Sequence, residues 1–168
     1  MFRKFWNTFK YLVVIIVVLY VMPRSLMPRD TFVSELKEMD KYIKLNDSEM
    51  RLIEFKDDIE ALKLKLAQVD IINNSRKKFK AQPVKLDILA SRVANKMSEE
   101  AAENDFIGHW NLAGEKPYHR YTFAGGFDHV SENAFGEWTT GSYSVSPSTI
   151  ASMMKKGHSA FMAEKAPD

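Results

Sequence analysis

The feature that most constrains this chain is an apolar run near its N-terminus. Positions 11–22 read YLVVIIVVLYVM, twelve apolar residues, and only three polar residues interrupt the span when it is counted from Phe5. A helix needs about 20 mainly apolar residues to cross a bilayer core, and Lys10 can extend its ammonium to the interface. We therefore predict a membrane segment at residues 5–22, within an N-terminal anchor that comprises residues 1–30.

The residues after this segment favour a signal anchor that stays attached. No small-residue cleavage site follows Met22; the next residues are PRSLMPRD. A cleaved signal peptide is the alternative, because the apolar run also suits the central part of such a peptide. Arg3, Lys4, Lys10 and the amino group precede the apolar run, and Arg24 and Arg29 follow it. This slight excess of positive charge favours a cytoplasmic N-terminus, with the rest of the chain outside the cytoplasm. The predicted location is the membrane, with a single pass, or secretion if the segment is cleaved.

The overall composition excludes several classes of function. The chain has 24 basic and 22 acidic residues and a net charge of +2, a balance that does not indicate a nucleic-acid partner. It has no cysteine, which rules out disulfides, cysteine-ligated zinc and a thiol nucleophile.

Residues 31–65 are rich in charge and are predicted to form a helical stalk, with a break and N-cap at Asn46-Asp47-Ser48. Apolar residues then recur at alternating spacings of three and four, as in a heptad. They are Leu52, Phe55, Ile59, Leu62, Leu66 and Val69. This stripe predicts an amphipathic helix that packs on the following domain, and self-association through residues 52–69 is the alternative.

Two further helices are predicted downstream. After Pro83, a set of apolar residues falls on one helical face, and Asp87 is placed to cap that helix. The set is Leu86, Ala90, Val93, Met97 and Ala101. Ser146 and Pro147 are the predicted N-cap and first residue of the last helix. The glycine-rich and aromatic residues 104–146 between them predict a long ordered loop, the kind of segment that carries function when a scaffold holds it.

Taken singly, the candidate site residues give only weak indications of a function. In GHSAF, residues 157–161, Ser159 lacks both the final glycine and the preceding strand of a nucleophile elbow. The histidines and Glu132 lack a closely spaced pair that would indicate zinc. In KPYHRY, residues 116–121, Arg120 is typical of a structural arginine that holds a loop.

Several motifs together resemble those of the CAP superfamily, which groups cysteine-rich secretory proteins, antigen 5 and pathogenesis-related proteins and has a bacterial branch. The matching positions, in order, are Ile72-Asn73, Arg76, Pro83-Val84, Met97, Gly108-His109, Gly114, Pro117, Arg120 and Glu132-Asn133. The resemblance covers residues 66–168. It implies an α+β fold, a CAP-type α-β-α sandwich whose helical and loop front half lies in those residues.

The resemblance also implies a cleft lined by histidines and glutamates that binds a divalent metal in some members. His109 and Glu132 match the first histidine and the first glutamate of that cleft, and Glu164 approximates the second acidic residue. The loop should fold back so that His109 approaches Glu132, and a metal such as zinc would be held by these two residues. The expected loop supports are Trp110, which walls the site with Tyr118, and Arg120 and Asn133.

In bacterial CAP proteins the second histidine follows in a stretch that has no counterpart before Asp168. We therefore expect this chain to be the front part of a longer domain. Four apolar side chains of the last helix should then lack the sheet that covers them. They are Met153, Met154, Phe161 and Met162.

The expected function is that of a membrane-anchored domain that binds a small or lipidic ligand or a divalent metal in a cleft, without catalysis. A hydrolase that uses a metal-bound or glutamate-activated water is the alternative. A scaffold that acts through the stalk is a further alternative, because a shared fold does not fix a function.

Overall fold

The computed structural model describes residues 11–13, 29–138 and 146–164, which are mostly helical. In chain order the elements are β1 (Tyr11–Val13), α1 (Arg29–Ser48), a 3₁₀ helix (Ile53–Phe55), α2 (Ile59–Lys78), α3 (Ile88–Glu103), α4 (Pro117–Phe123), β2 (Gly136–Trp138) and α5 (Pro147–Ala163). The long segment between α3 and β2 contains only the short α4.

The predicted α-β-α sandwich is wrong for this chain. Its described residues are helical, and the one strand pairing among them joins β1 to β2, antiparallel, with Tyr11 opposite Trp138 and Val13 opposite Gly136. Two strands of three residues cannot form a sheet layer, because even an isolated hairpin is marginally stable. The core is instead built where helices pack on helices.

Arg92 of α3 fixes the turn that follows α1. Its guanidinium is fully buried and donates to three backbone carbonyls, those of Asn46 at 2.7 Å, Glu49 at 2.8 Å and Arg51 at 2.6 Å. Leu52 then adopts a left-handed conformation, with φ of 49°. The bond to Asn46 satisfies a carbonyl that the last turn of α1 leaves without a helical partner. The bonds to Glu49 and Arg51 hold the chain after the helix, so it turns here rather than continuing as helix.

The predicted break is therefore present, but the predicted cap is not. Asp58, not Ser48, caps α2, because its Oδ1 accepts from the amide of Ala61 at 2.7 Å. Leu52 and Phe55 precede α2, so the heptad-like stripe does not lie on one helix. Leu62 is buried against Tyr42 of α1 and Ile88 of α3, which agrees with packing on the domain. Self-association through residues 52–69 stays a prediction.

The caps of α3 and α5 confirm their predictions. Asp87 accepts from the amide of Ala90 at 2.6 Å, and Ser146 accepts from the amide of Thr149 at 3.2 Å. α2 is continuous across residue 65, where the stalk was predicted to end.

The apolar side of α5 is partly covered, contrary to expectation. Met153 and Met154 are buried and pack against Leu64, Ala67 and Ile150, so α2 takes the place of the expected sheet. Phe161 is half-buried, and Met162 is 48% exposed.

The predicted membrane segment lies outside the described residues, apart from the three residues of β1. Among the helices that are described, none has the length and apolar character needed to span a bilayer.

Candidate functional site

His109 and Glu132 lie together, as the resemblance led us to expect. His109 Nδ1 is 3.2 Å from Glu132 Oε1 although the two residues are 23 positions apart. Arg120 donates from Nη2 to the other carboxylate oxygen, Oε2, at 2.5 Å. Glu132 is thus shared between a buried arginine and a histidine whose side chain is 54% exposed.

Arg120 also holds the loop that carries His109. It lies on α4, which begins with Pro117, and its Nη1 donates to the carbonyls of His109 at 3.1 Å and Glu115 at 2.9 Å. Asn111 closes the loop below it, because its amide group exchanges two hydrogen bonds of 2.7 Å with Glu115. The interpretation of Arg120 as a structural arginine is confirmed. The same guanidinium also binds the carboxylate of Glu132 in the candidate site.

The other residues expected at the site have exposed side chains. Trp110 is 55% exposed, with Lys116 Nζ 4.8 Å from its ring centroid, and Tyr118 is 46% exposed. The side chain of Asn133 is exposed and has no hydrogen bond to any described residue, so it does not hold the turn as expected. Glu164 ends α5 with an exposed side chain, and no described bond joins it to His109 or Glu132.

The described residues do not by themselves complete a metal site at this cluster. Within the described part of the chain, no group of three histidine or acidic side chains is placed to hold a metal. His109 and Glu132 supply two ligands where zinc sites in proteins use three or four. One of the two carboxylate oxygens already accepts from Arg120, whose positive charge would oppose a cation.

Glu132 also lies at the edge of a large cleft. The cleft has a volume of about 730 Å³ and opens between α2, α3 and α5. Its walls are mainly apolar. They include Val69, Ile72, Val84, Val93, Ala94, Phe135, Met154 and Phe161.

Gly157 shapes one wall of the cleft. A Cβ at this position would lie 3.1 Å from the ring of Phe135, so the glycine lets that ring approach α5 closely. This packing explains a glycine in the middle of a helix, where it costs about 1 kcal/mol relative to alanine.

Sequence reasoning missed two polar groups of the cleft. Ser75 of α2 and His158 of α5 share a hydrogen bond of 2.8 Å between Oγ and Nε2, across 83 positions. Lys65 contacts Asp57 Oδ1 and Asn95 Oδ1 at 2.6 Å and Ser91 Oγ at 2.5 Å. No spacing in the sequence indicates either group, since each joins residues of separate elements.

The carboxylate of Asp57 is the acid partner of this buried group. Burial opposes its ionisation, but the charge of Lys65 and hydrogen bonds from Lys65, Ser91 and Asn95 outweigh that effect. The pKa of Asp57 therefore lies below its usual value. The ion pair ties the chain before α2 to α2 itself, and the hydrogen bonds from Ser91 and Asn95 tie it to α3.

Comparisons with protein-family models, with curated proteins and with solved structures found no match to this chain. The functional argument therefore rests on the chain's own residues and geometry.

Proposed function

We propose that this chain binds a small, largely apolar ligand in the cleft between α2, α3 and α5. The observation that carries the proposal is the cleft itself, about 730 Å³ in volume with mainly apolar walls. Ligand sites in proteins are typically clefts of about 300–1,000 Å³ with apolar linings and a few polar groups that set orientation.

The polar groups at the cleft favour a ligand with an acidic head. Arg76 and Lys85 both line it. The acids of the lining are already engaged within the fold, Glu132 by Arg120 and Asp87 as the cap of α3. The guanidinium of Arg76 has one described hydrogen bond, from Nε to the carbonyl of Gln82. Both cations are thus placed to pair with a carboxylate or phosphate, while an acyl chain lies against the apolar walls. A fatty acid or a similar lipid is the ligand class that matches both features.

Binding without catalysis is favoured over hydrolysis. Ser75 contacts His158, but no carboxylate of the described residues orients that histidine, as a nucleophilic serine site would need. Both carboxylate oxygens of Glu132 already have protein partners, His109 and Arg120, which disfavours its use as a general base. The cleft therefore supports recognition of a ligand better than it supports a reaction.

The relation to the CAP superfamily and the membrane anchor are parts of this proposal. The approach of His109 to Glu132 supports the relation, because the resemblance predicted that contact between distant positions. Attachment through residues 5–22 would keep the ligand site near a membrane, which is the source of lipidic ligands.

The test uses cis-parinaric acid, a fluorescent fatty acid, titrated into the full chain. Ala94→Trp places a large ring in the cleft and should weaken binding at least tenfold. Ala113→Trp introduces the same ring at an exposed turn outside the cleft and should leave the affinity unchanged. Equal affinities for the two variants, or no saturable binding by the unmodified chain, would reject the proposal.

A further inference from the structure

The turn between α2 and α3 concentrates positive charge. Residues 76–85, RKKFKAQPVK, contain five basic residues and no acidic one, whereas the whole chain has a net charge of +2. We call residues 76–85 the basic corner. This local excess of positive charge is not apparent from the net charge of the whole chain.

Backbone and side-chain hydrogen bonds hold the basic corner in one conformation. The carbonyl of Arg76 accepts from the amides of Phe79 at 3.0 Å and Ala81 at 2.9 Å. Asn73 clamps Val84, donating to its carbonyl at 3.0 Å and accepting from its amide at 2.8 Å. The backbone of the turn is therefore a built part of the fold, and its exposed side chains project from fixed backbone positions.

The side chains of the basic corner are left to solvent. Phe79 is 72% exposed at the tip of the turn. The four lysines of the corner are exposed, and none has an ion pair with a described residue. They are Lys77, Lys78, Lys80 and Lys85. An exposed aromatic ring between unpaired cations presents apolar surface and positive charge to the same partner.

The basic corner also lines part of the cleft. Phe79, Ala81 and Lys85 line the cleft. A partner that contacts Phe79 and Lys85 would therefore lie next to the cleft.

We infer that the basic corner docks on an anionic lipid bilayer. Lysines near a membrane surface are attracted to anionic head groups, and an aromatic ring inserts at the boundary of head groups and acyl chains. A single-stranded nucleic acid is disfavoured, because its binding sites combine a positive groove with several aromatic side chains on which bases stack. The corner has one such ring, beside the apolar cleft. The inference does not depend on occupation of the cleft or on the membrane segment.

The experiment measures sedimentation of the full chain with vesicles of phosphatidylglycerol and phosphatidylcholine, against vesicles of phosphatidylcholine alone. The neutral vesicles give the contribution of any other apolar segment. Lys78→Gln with Lys80→Gln should weaken binding to anionic vesicles about 30-fold, since each lysine near such a surface contributes about a factor of five. Phe79→Ala should weaken it about tenfold, and Phe79→Trp should preserve it.

A matched double variant controls for net charge. Lys96→Gln with Lys155→Gln removes the same two charges from exposed sites on α3 and α5 and should change vesicle binding by less than threefold. The inference is overturned if the two double variants bind alike, or if the chain binds neutral and anionic vesicles equally. It is also overturned if short single-stranded DNA competes fully and Phe79→Ala has no effect, which would indicate a nucleic-acid site.

The cleft and the corner can be separated in the same assay. Ala94→Trp should weaken parinaric acid binding at least tenfold without changing vesicle binding, whereas the double lysine variant should weaken vesicle binding without changing parinaric acid binding. Failure of one proposal therefore leaves the other testable.

Discussion

Replacing Asp57 by asparagine should destabilise the fold substantially, because it leaves Lys65 as an unpaired buried cation. The Asp57 side chain is 1% exposed and that of Lys65 is 12% exposed. Removing one member of a buried ion pair costs about 3–5 kcal/mol. Ser91 and Asn95 still offer oxygens to the ammonium, so we expect the lower end, about 3 kcal/mol.

The assay is urea unfolding followed by far-ultraviolet circular dichroism at pH 7. With an m-value of about 2 kcal/mol/M, a loss of 3 kcal/mol lowers the urea midpoint by about 1.5 M. Asp58→Asn is the matched control, because Asp58 is exposed and asparagine also caps helices well. Its midpoint should move by less than about 0.3 M.

A double-mutant cycle tests the cause of the loss. Asp57→Asn combined with Lys65→Met removes the stranded charge, so the pair should cost less than the sum of the single changes by about 2 kcal/mol. Additive costs, or a midpoint for Asp57→Asn equal to that of the control, would refute the assignment of this ion pair as a stabilising contact between the chain before α2 and Lys65 of α2.

Three further predictions follow from individual contacts. Because the folded state lowers the pKa of Asp57, its contribution to the free energy of unfolding is present above about pH 4 and is lost as the pH falls through the folded pKa. In acid, the free energy of unfolding of Asp57→Asn should therefore fall less steeply with pH than that of the unmodified chain. Gly126→Ala should cost about 1–3 kcal/mol in urea unfolding, because the added methyl overlaps the Tyr121 ring; an unchanged midpoint would contradict that packing. If residues 5–22 anchor the chain, it should stay in the membrane pellet after carbonate extraction, whereas a soluble product beginning at residues 23–32 would indicate a cleaved signal peptide.

Local rules of the sequence predicted the parts of the fold that depend on neighbouring residues. Asp87 and Ser146 cap their helices as expected, because a cap is set by the side chain and the amide three residues on. Arg120 was interpreted correctly as a loop-holding residue. The contact of His109 with Glu132 came from the family resemblance and not from spacing.

Contacts between elements distant in the sequence could not be predicted from local rules. The break after α1 depends on Arg92, more than 40 positions away. The prediction of a cap at residues 46–48 was therefore wrong, and Asp58 caps α2 instead. Met153 and Met154 were expected to lack cover because the covering element was sought in a sheet, whereas α2 supplies it. The sandwich was inferred from motifs, and motifs fix local positions without requiring the strands between them.

The most direct test of the ligand-binding cleft is a methyl NMR titration of the full chain, labelled with ¹³C at its methionine methyl groups. Met154 and Met162 line the cleft, while Met50 is 69% exposed outside it. On addition of parinaric acid we predict saturable shifts of the Met154 and Met162 methyl signals, with Met50 unchanged. Unmoved Met154 and Met162 signals, or equal shifts at Met50, would contradict the account.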